Sequence, residues 1–157
     1  MYRLKFILLI LLIILLEFFI APPVITASTA EVVFIVNKSV NEKTISRAEI
    51  KNIFIGVVTR WPDKQKIRFA ILTKADEHEI FTKKYINKSI SQFRCFWRNQ
   101  VFTGQGNFPK IMSTEQDIIA YVARTKGAIG YISSSVSIEN VNVLRVIDDE
   151  KGGAKNE

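Results

Sequence analysis

The sequence contains only one cysteine and one histidine among its 157 residues. A single cysteine excludes an intramolecular disulfide, so the fold must be stabilised by packing. Cys95 has polar residues three and four positions away along a predicted helix, and none of them resembles a base that would activate a nucleophile. We therefore predict that Cys95 lies near the surface and has no catalytic role.

The scarcity of histidine bears on metal binding, because a metal site needs several ligands that converge on one point. The carboxylates of Asp76, Glu77 and Glu79 flank His78, but they would complete a site only if their geometry cooperated. We expect His78 to be a solvated residue in the first turn of a helix, and we expect no metal and no cofactor. With no base–nucleophile pair either, the sequence does not indicate an enzyme.

Residues 1–30 have the three parts of a secretory signal peptide. A positively charged start precedes an apolar run over residues 6–20, which Glu17 interrupts, and Ser28-Thr29-Ala30 offers the small-x-small pattern of a signal peptidase site. We predict cleavage there, a periplasmic location and no membrane span after cleavage. The alternative is an uncleaved inner-membrane anchor over residues 6–25, in which the carboxylate would cost about 2.5–3.5 kcal/mol.

The formal net charge of +7 raises the question of a nucleic-acid partner. The positive residues are scattered along the chain rather than set in one block, and the predicted export separates the protein from nucleic acid. Solubility and weak attraction to anionic envelope surfaces explain the charge more simply. We expect no nucleic-acid partner.

Residues 31–147 read as one domain of strands and helices. The β-branched runs at 31–36 and 67–72 are continuous rather than alternating, as in strands that are covered on both faces. Between them, Ser46 and Glu49 form a capping box that opens a helix. Its apolar stripe is Ile50, Ile53, Phe54 and Val57, with Gly56 at its end. This spacing indicates a βαβ unit with two parallel strands.

Three further helices and two strands follow. We predict helices over residues 77–87, from a Ser89 capping box to about Val101, and from a Ser113 cap to Gly127. The stripe of the second of these is Ile90, Phe93, Phe96, Trp97 and Val101. The last strands are predicted over 128–132 and 141–147, and a disordered tail over 148–157. The pattern is α/β, with one sheet sandwiched by helices, and ligands of such sheets lie beyond the carboxyl ends of the strands.

Three stretches of the sequence resemble a known family. Residues 45–56, ISRAEIKNIFIG, followed by Thr59-Arg60-Trp61-Pro62-Asp63, resemble the LSRxELxxIFxGxxTxWxD segment of phosphate ABC-transporter substrate-binding proteins. Gly127-Ala128-Ile129-Gly130-Tyr131 is similar to their GAIGY strand, and residues 102–106 are similar to a loop of short, single-lobed members. The resemblance implies a three-layer single lobe of the type 2 periplasmic-binding-protein fold, with a mixed, mostly parallel sheet flanked by helices, and a role in capturing inorganic phosphate.

The chain departs from this family where the phosphate would bind. The family's loop after the second strand reads Ser-Gly-Thr, whereas the matching positions here are Ala75, Asp76 and Glu77. We expect Asp76 and Glu79 to form a cap that occupies the free N–H groups of the following helix. Phosphate would also meet carboxylates of like charge there.

We therefore predict an exported solute-binding-like protein with weak or lost phosphate binding. Inorganic phosphate or another small oxyanion is the expected ligand, and the alternative is a ligand-free periplasmic module that docks on an envelope protein. The residues left to contact an oxyanion are Lys74, Thr103, Gly104, Gln105, Gly106, Asn107 and Ser113.

Overall fold

The computed structural model describes Arg3 and residues 31–73, 76–103 and 108–148. The predicted signal peptide and most of the predicted tail lie outside these ranges. The strands are β1 Val32–Val36, β2 Thr44–Ser46, β3 Arg68–Leu72, β4 Lys110–Met112, β5 Ala128–Ser133 and β6 Asn142–Ile147. The helices are α1 Arg47–Phe54, α2 Asp76–Phe81 with a π-helical continuation Thr82–Ile86, α3 Ile90–Phe102 and α4 Glu115–Arg124. Within these ranges no helix has both the length and the apolar character needed to cross a membrane.

The six strands form one mixed sheet in the order β2-β6-β1-β5-β3-β4. The pairs β2–β6, β3–β4 and β3–β5 are parallel, whereas β1 is antiparallel to both β5 and β6. The prediction of a parallel βαβ unit is therefore wrong, because β5 lies between β1 and β3 and the two strands run in opposite directions. The short edge strands β2 and β4 were not predicted.

Helices cover both faces of the sheet, as the predicted α/β class requires. Gly130 and Tyr131 are neighbours in β5, so they face opposite sides of the sheet. A Cβ atom at Gly130 would lie 2.5 Å from Ile118 of α4, which shows how closely this helix approaches the strand. On the other face, the ring of Tyr131 stacks on Phe81 of α2 at 4.0 Å and meets Phe54 of α1 edge-on at 5.9 Å. The three-layer arrangement is confirmed.

Of the three predicted serine caps, two are found at the predicted residue. Ser46 and Ser89 each form a reciprocal capping box at the start of α1 and α3. The predicted Ser113 cap of α4 is wrong by one residue. Thr114 is the N-cap, and its hydroxyl oxygen accepts the N–H of Asp117 at 3.1 Å.

Both predicted apolar stripes extend one residue too far. Val57 is 68% exposed because α1 ends at Phe54 and the chain turns at Gly56, which has a φ of +79°. Val101 is half exposed although it lies within α3. The buried parts of the two stripes are Ile50, Ile53, Phe54, Phe93 and Trp97.

Two of the three stretches that resemble the family, those around Trp61 and Gly127, contact each other. The buried indole N–H of Trp61 donates to the carbonyl oxygen of Gly127 at 3.0 Å. Gly127 has a φ of +71°, and a Cβ atom there would lie 2.3 Å from the carbonyl oxygen of Lys66. Both residues therefore have a structural function in joining the turn before β3 to the start of β5.

Candidate functional site

The ligand-facing edge of the sheet predicted from the sequence is the carboxyl end of β3. Leu72 is buried there, and the N–H of Thr73 donates to the carbonyl oxygen of Met112 at 3.1 Å, which extends the β3–β4 pairing by one residue. Lys74 and Ala75 lie outside the described residues. Helix α2 then begins at Asp76.

The first turn of α2 is acidic, but its carboxylates do not form the predicted cap. Asp76 is the first residue of the helix rather than the residue that precedes it. The Glu79 carboxylate lies 2.5 Å from the ammonium group of Lys83, and this hydrogen bond and positive charge lower the pKa of the Glu79 carboxyl. The prediction that Glu79 closes a capping box with Asp76 is therefore wrong. Asp76 is exposed and Glu77 is partly exposed, so the negative charges remain at the helix start.

The structure describes two of the seven predicted ligand-binding residues. Thr103 ends α3, and its hydroxyl donates to the carbonyl oxygens of Asn99 and Gln100, so that group is already used within the helix. Ser113 is exposed beside the start of α4. Lys74 and residues 104–107 lie outside the described ranges, so the seven residues remain a prediction.

The environment of His78 differs from the prediction that it is solvated. Its side chain is buried rather than solvated, with 4% of the residue exposed. Its Nδ1 atom lies 2.6 Å from the hydroxyl oxygen of Tyr131, and the two rings stack at 6.3 Å. The same hydroxyl oxygen accepts the N–H of Leu72 at 3.2 Å. His78 thus joins the start of α2 to the ends of β3 and β5.

The chemistry of this pair follows from its burial. Burial, together with the positive charge of Arg94, lowers the pKa of His78 from 6.5 to about 4, so the imidazole is neutral at pH 7. Burial also raises the pKa of Tyr131, which stays protonated. The neutral imidazole and the protonated Tyr131 hydroxyl therefore share a hydrogen bond between uncharged groups, while the hydroxyl oxygen accepts the N–H of Leu72. A neutral, tightly packed imidazole of this kind has a structural function.

A cleft of about 650 Å³ opens beside this pair. It lies between the carboxyl end of β3, helix α3 and the chain that leads into β4. Its described lining residues are Ile71, Leu72, Thr73, His78, Phe93, Arg94, Trp97, Arg98, Val101, Phe108, Pro109 and Ile111. Neither Thr103 nor Ser113 lines it. The cleft is therefore a second candidate site, which the sequence did not predict.

The described residues bring no metal site together, since no three side chains of His, Cys, Asp or Glu converge within the ranges given above. Cys95 is exposed on α3, as predicted, and its sulfur lies 3.6 Å from the guanidinium of Arg98.

The fold and the position of the site define a class of protein. Residues 27–153 match the PBP superfamily domain, and the chain belongs to this superfamily. The predicted resemblance to phosphate ABC-transporter substrate-binding proteins and the predicted periplasmic-binding-protein fold are both confirmed.

Solved structures with this fold include three proteins linked to phosphate. They are an ABC-type phosphate transport receptor from Vibrio cholerae (TM-score 0.58, 13% identity), PstS from Borrelia burgdorferi (0.59, 16%) and a phosphate-bound structure from Clostridium perfringens (0.58, 18%). Each alignment covers 74% of this chain but only 46%, 47% and 45% of those chains, respectively. The chain thus spans less than half the length of these proteins. At such identities the likeness concerns the fold.

Proposed function

We propose that this protein is an exported, solute-binding-like member of the PBP superfamily that acts in the periplasm without catalysis and binds free phosphate only weakly. The family and the fold support a binding role, since one similar structure is described as an ABC-type phosphate transport receptor and another was solved with bound phosphate. The chemistry of the α2 start supports weak binding.

The observation that carries the proposal is the acidic first turn of α2. An anion at a helix start gains from the free N–H groups and the helix dipole by about 0.3–1 kcal/mol at an exposed site. Here it would meet the carboxylates of Asp76 and Glu77 directly after the end of β3. Each like charge at contact costs about 1 kcal/mol even in high dielectric. The repulsion therefore offsets the gain.

Lys74, Ser113 and the Thr103–Asn107 loop are the groups that we propose still contact a phosphate or another small oxyanion.

Calorimetric titration with inorganic phosphate tests the proposal, with protein purified as the cell processes it. We expect a dissociation constant weaker than millimolar, which is less than about 4 kcal/mol of binding free energy. Replacing Ala75-Asp76-Glu77 by Ser-Gly-Thr should tighten binding, because it returns small donors and removes two negative charges. The double variant Glu31→Gln/Glu139→Gln is the control, since it removes two charges from exposed positions elsewhere.

Micromolar affinity in the unmodified protein would overturn the weak-binding proposal and indicate ordinary phosphate capture. If the control variant tightened phosphate binding as much as the Ser-Gly-Thr variant, the net charge, and not the α2 start, would limit binding. The second candidate function is docking on an envelope protein. Phe102 on α3 favours it, because this large apolar residue is 82% exposed. It would be supported if phosphate binds neither the unmodified protein nor the Ser-Gly-Thr variant.

A further inference from the structure

The cleft beside α3 has the size and the walls of a small-molecule site. Its volume of about 650 Å³ lies within the range of about 300–1,000 Å³ that is usual for ligand pockets. Apolar and aromatic side chains form most of the wall, and several of them are half exposed to solvent although they are large and apolar. These partly exposed wall residues are Val101, Phe108 and Ile111. An apolar ligand would remove their surface from water.

The charged groups of the cleft all have one sign. Arg94 and Arg98 lie one helical turn apart on α3, and both line the cleft. No carboxylate is among the described lining residues, and no acidic group in the described part of the chain lies within ion-pair distance of either arginine. His78 is neutral at pH 7 and adds no charge. Within the described residues neither arginine therefore has an ion-pair partner, although Arg98 also donates to the sulfur of Cys95.

From the volume of the cleft, its apolar wall and its two arginines, we propose that the cleft binds an apolar monocarboxylate, with a chain such as that of a medium-length fatty acid. The apolar tail would lie against the aromatic wall of Phe93, Trp97 and Phe108. The carboxylate would accept from Arg94 or Arg98, in the charge-assisted geometry that guanidinium groups favour. The cleft reaches His78 in the first turn of α2, but the groups proposed to hold the carboxylate are on α3, so the site does not depend on the proposal about phosphate.

The chemistry of the cleft disfavours two simpler ligands. A small inorganic anion would pair with the arginines but would leave the apolar wall in water. A neutral apolar molecule would cover the wall but would leave the positive charge of both guanidinium groups without a counter-charge. Only a ligand with both parts matches the walls and the charge together.

Nuclear magnetic resonance of the two indole N–H groups tests the proposal, because the sequence has only two tryptophans. Decanoate should shift the Trp97 signal in a saturable manner, and the Trp61 signal should stay in place as the internal control. The variant Trp97→Phe assigns the two signals. In a series from hexanoate to decanoate, each added methylene should tighten binding by up to about fourfold.

Charge variants and matched ligands decide what is recognised. The double variant Arg94→Gln/Arg98→Gln should weaken decanoate binding at least about tenfold, because charged hydrogen bonds are lost. Arg145→Gln, on β6 on the far side of the sheet, is exposed and should leave the affinity unchanged. Decanol should bind more weakly than decanoate. The Ser-Gly-Thr replacement at residues 75–77 should leave decanoate binding intact even if it changes phosphate binding.

Three results would overturn the proposal. The first is an unchanged Trp97 signal at millimolar decanoate. The second is equal affinity for decanol and decanoate, or for the double arginine variant and the unmodified protein. The third is an equal shift of the Trp97 signal by inorganic phosphate at the same concentration, since the apolar tail would then contribute nothing.

Discussion

Protonation of His78 should make the protein lose stability in a defined pH window. At pH 7 the group is neutral in the folded state and mostly neutral in the unfolded state, so its contribution to the pH dependence is small there. In the unfolded chain it takes up a proton below about pH 6.5, whereas in the folded protein burial and Arg94 hold its pKa at about 4. Between these values only the unfolded state binds the proton, and the free energy of unfolding falls as the pH falls.

The magnitude follows from the two pKa values. One pKa unit corresponds to about 1.36 kcal/mol, so the interval from 6.5 to about 4 predicts a loss of about 3 kcal/mol. Below pH 4 the folded protein also binds the proton, and this contribution stops changing. Carboxylates titrate in the same window, so the unmodified protein must be compared with His78→Gln, in which their contributions remain.

Urea denaturation between pH 7 and pH 4 measures the effect. We expect the unmodified protein to lose about 3 kcal/mol more than His78→Gln over this interval. Because His78 is the only histidine, its imidazole resonance can be followed without ambiguity, and it should not titrate above about pH 5. Parallel stability curves for the two proteins, or a resonance that titrates near pH 6.5, would refute the buried-imidazole reasoning.

Two further predictions concern the core and the export of the chain. Phe54→Ala should lower the free energy of unfolding by about 3–5 kcal/mol, because Phe54 is 0% exposed and its ring packs among other aromatic rings. Phe102→Ala is the matched control, and at 82% exposure it should change stability by less than about 0.5 kcal/mol in chemical denaturation. Protein from an envelope fraction should begin near Glu31 by N-terminal sequencing. A membrane-embedded product with residues 1–30 intact would contradict the signal-peptide prediction.

Local patterns in the sequence predicted the elements of this fold well. Ser46 and Ser89 open their helices as the capping boxes indicate, because a cap depends only on residues within one turn. The pairing of the strands was not local. Strand β5 enters between β1 and β3 from far along the chain, and no pattern within the first 72 residues could show it. Strand β4 has three residues with two of them exposed, so it carries no burial pattern.

The site was harder to predict than the fold. The acidic start of α2 was visible in the sequence, and the structure places it at the end of β3. His78 was predicted to be a solvated residue of the first helical turn, because a metal site would need further ligands that converge on it. A signal for its burial was present, since His78, Thr82 and Tyr85 lie at helical spacing and all three are buried. The cleft depends on contacts between α3 and the chain before β4, which sequence periodicity does not encode.

The hydrogen bond between Trp61 and Gly127 has a consequence for how ligand specificity can change in such chains. The stretches around Trp61 and Gly127 resemble the family and hold the scaffold together through this hydrogen bond. Neither of these stretches includes the loop that follows β3. Substitutions in that loop therefore leave the scaffold contacts untouched. A chain can keep the sequence stretches that are typical of a phosphate receptor while its affinity for phosphate changes. The loop after β3, rather than those stretches, should therefore be used to sort such chains by ligand.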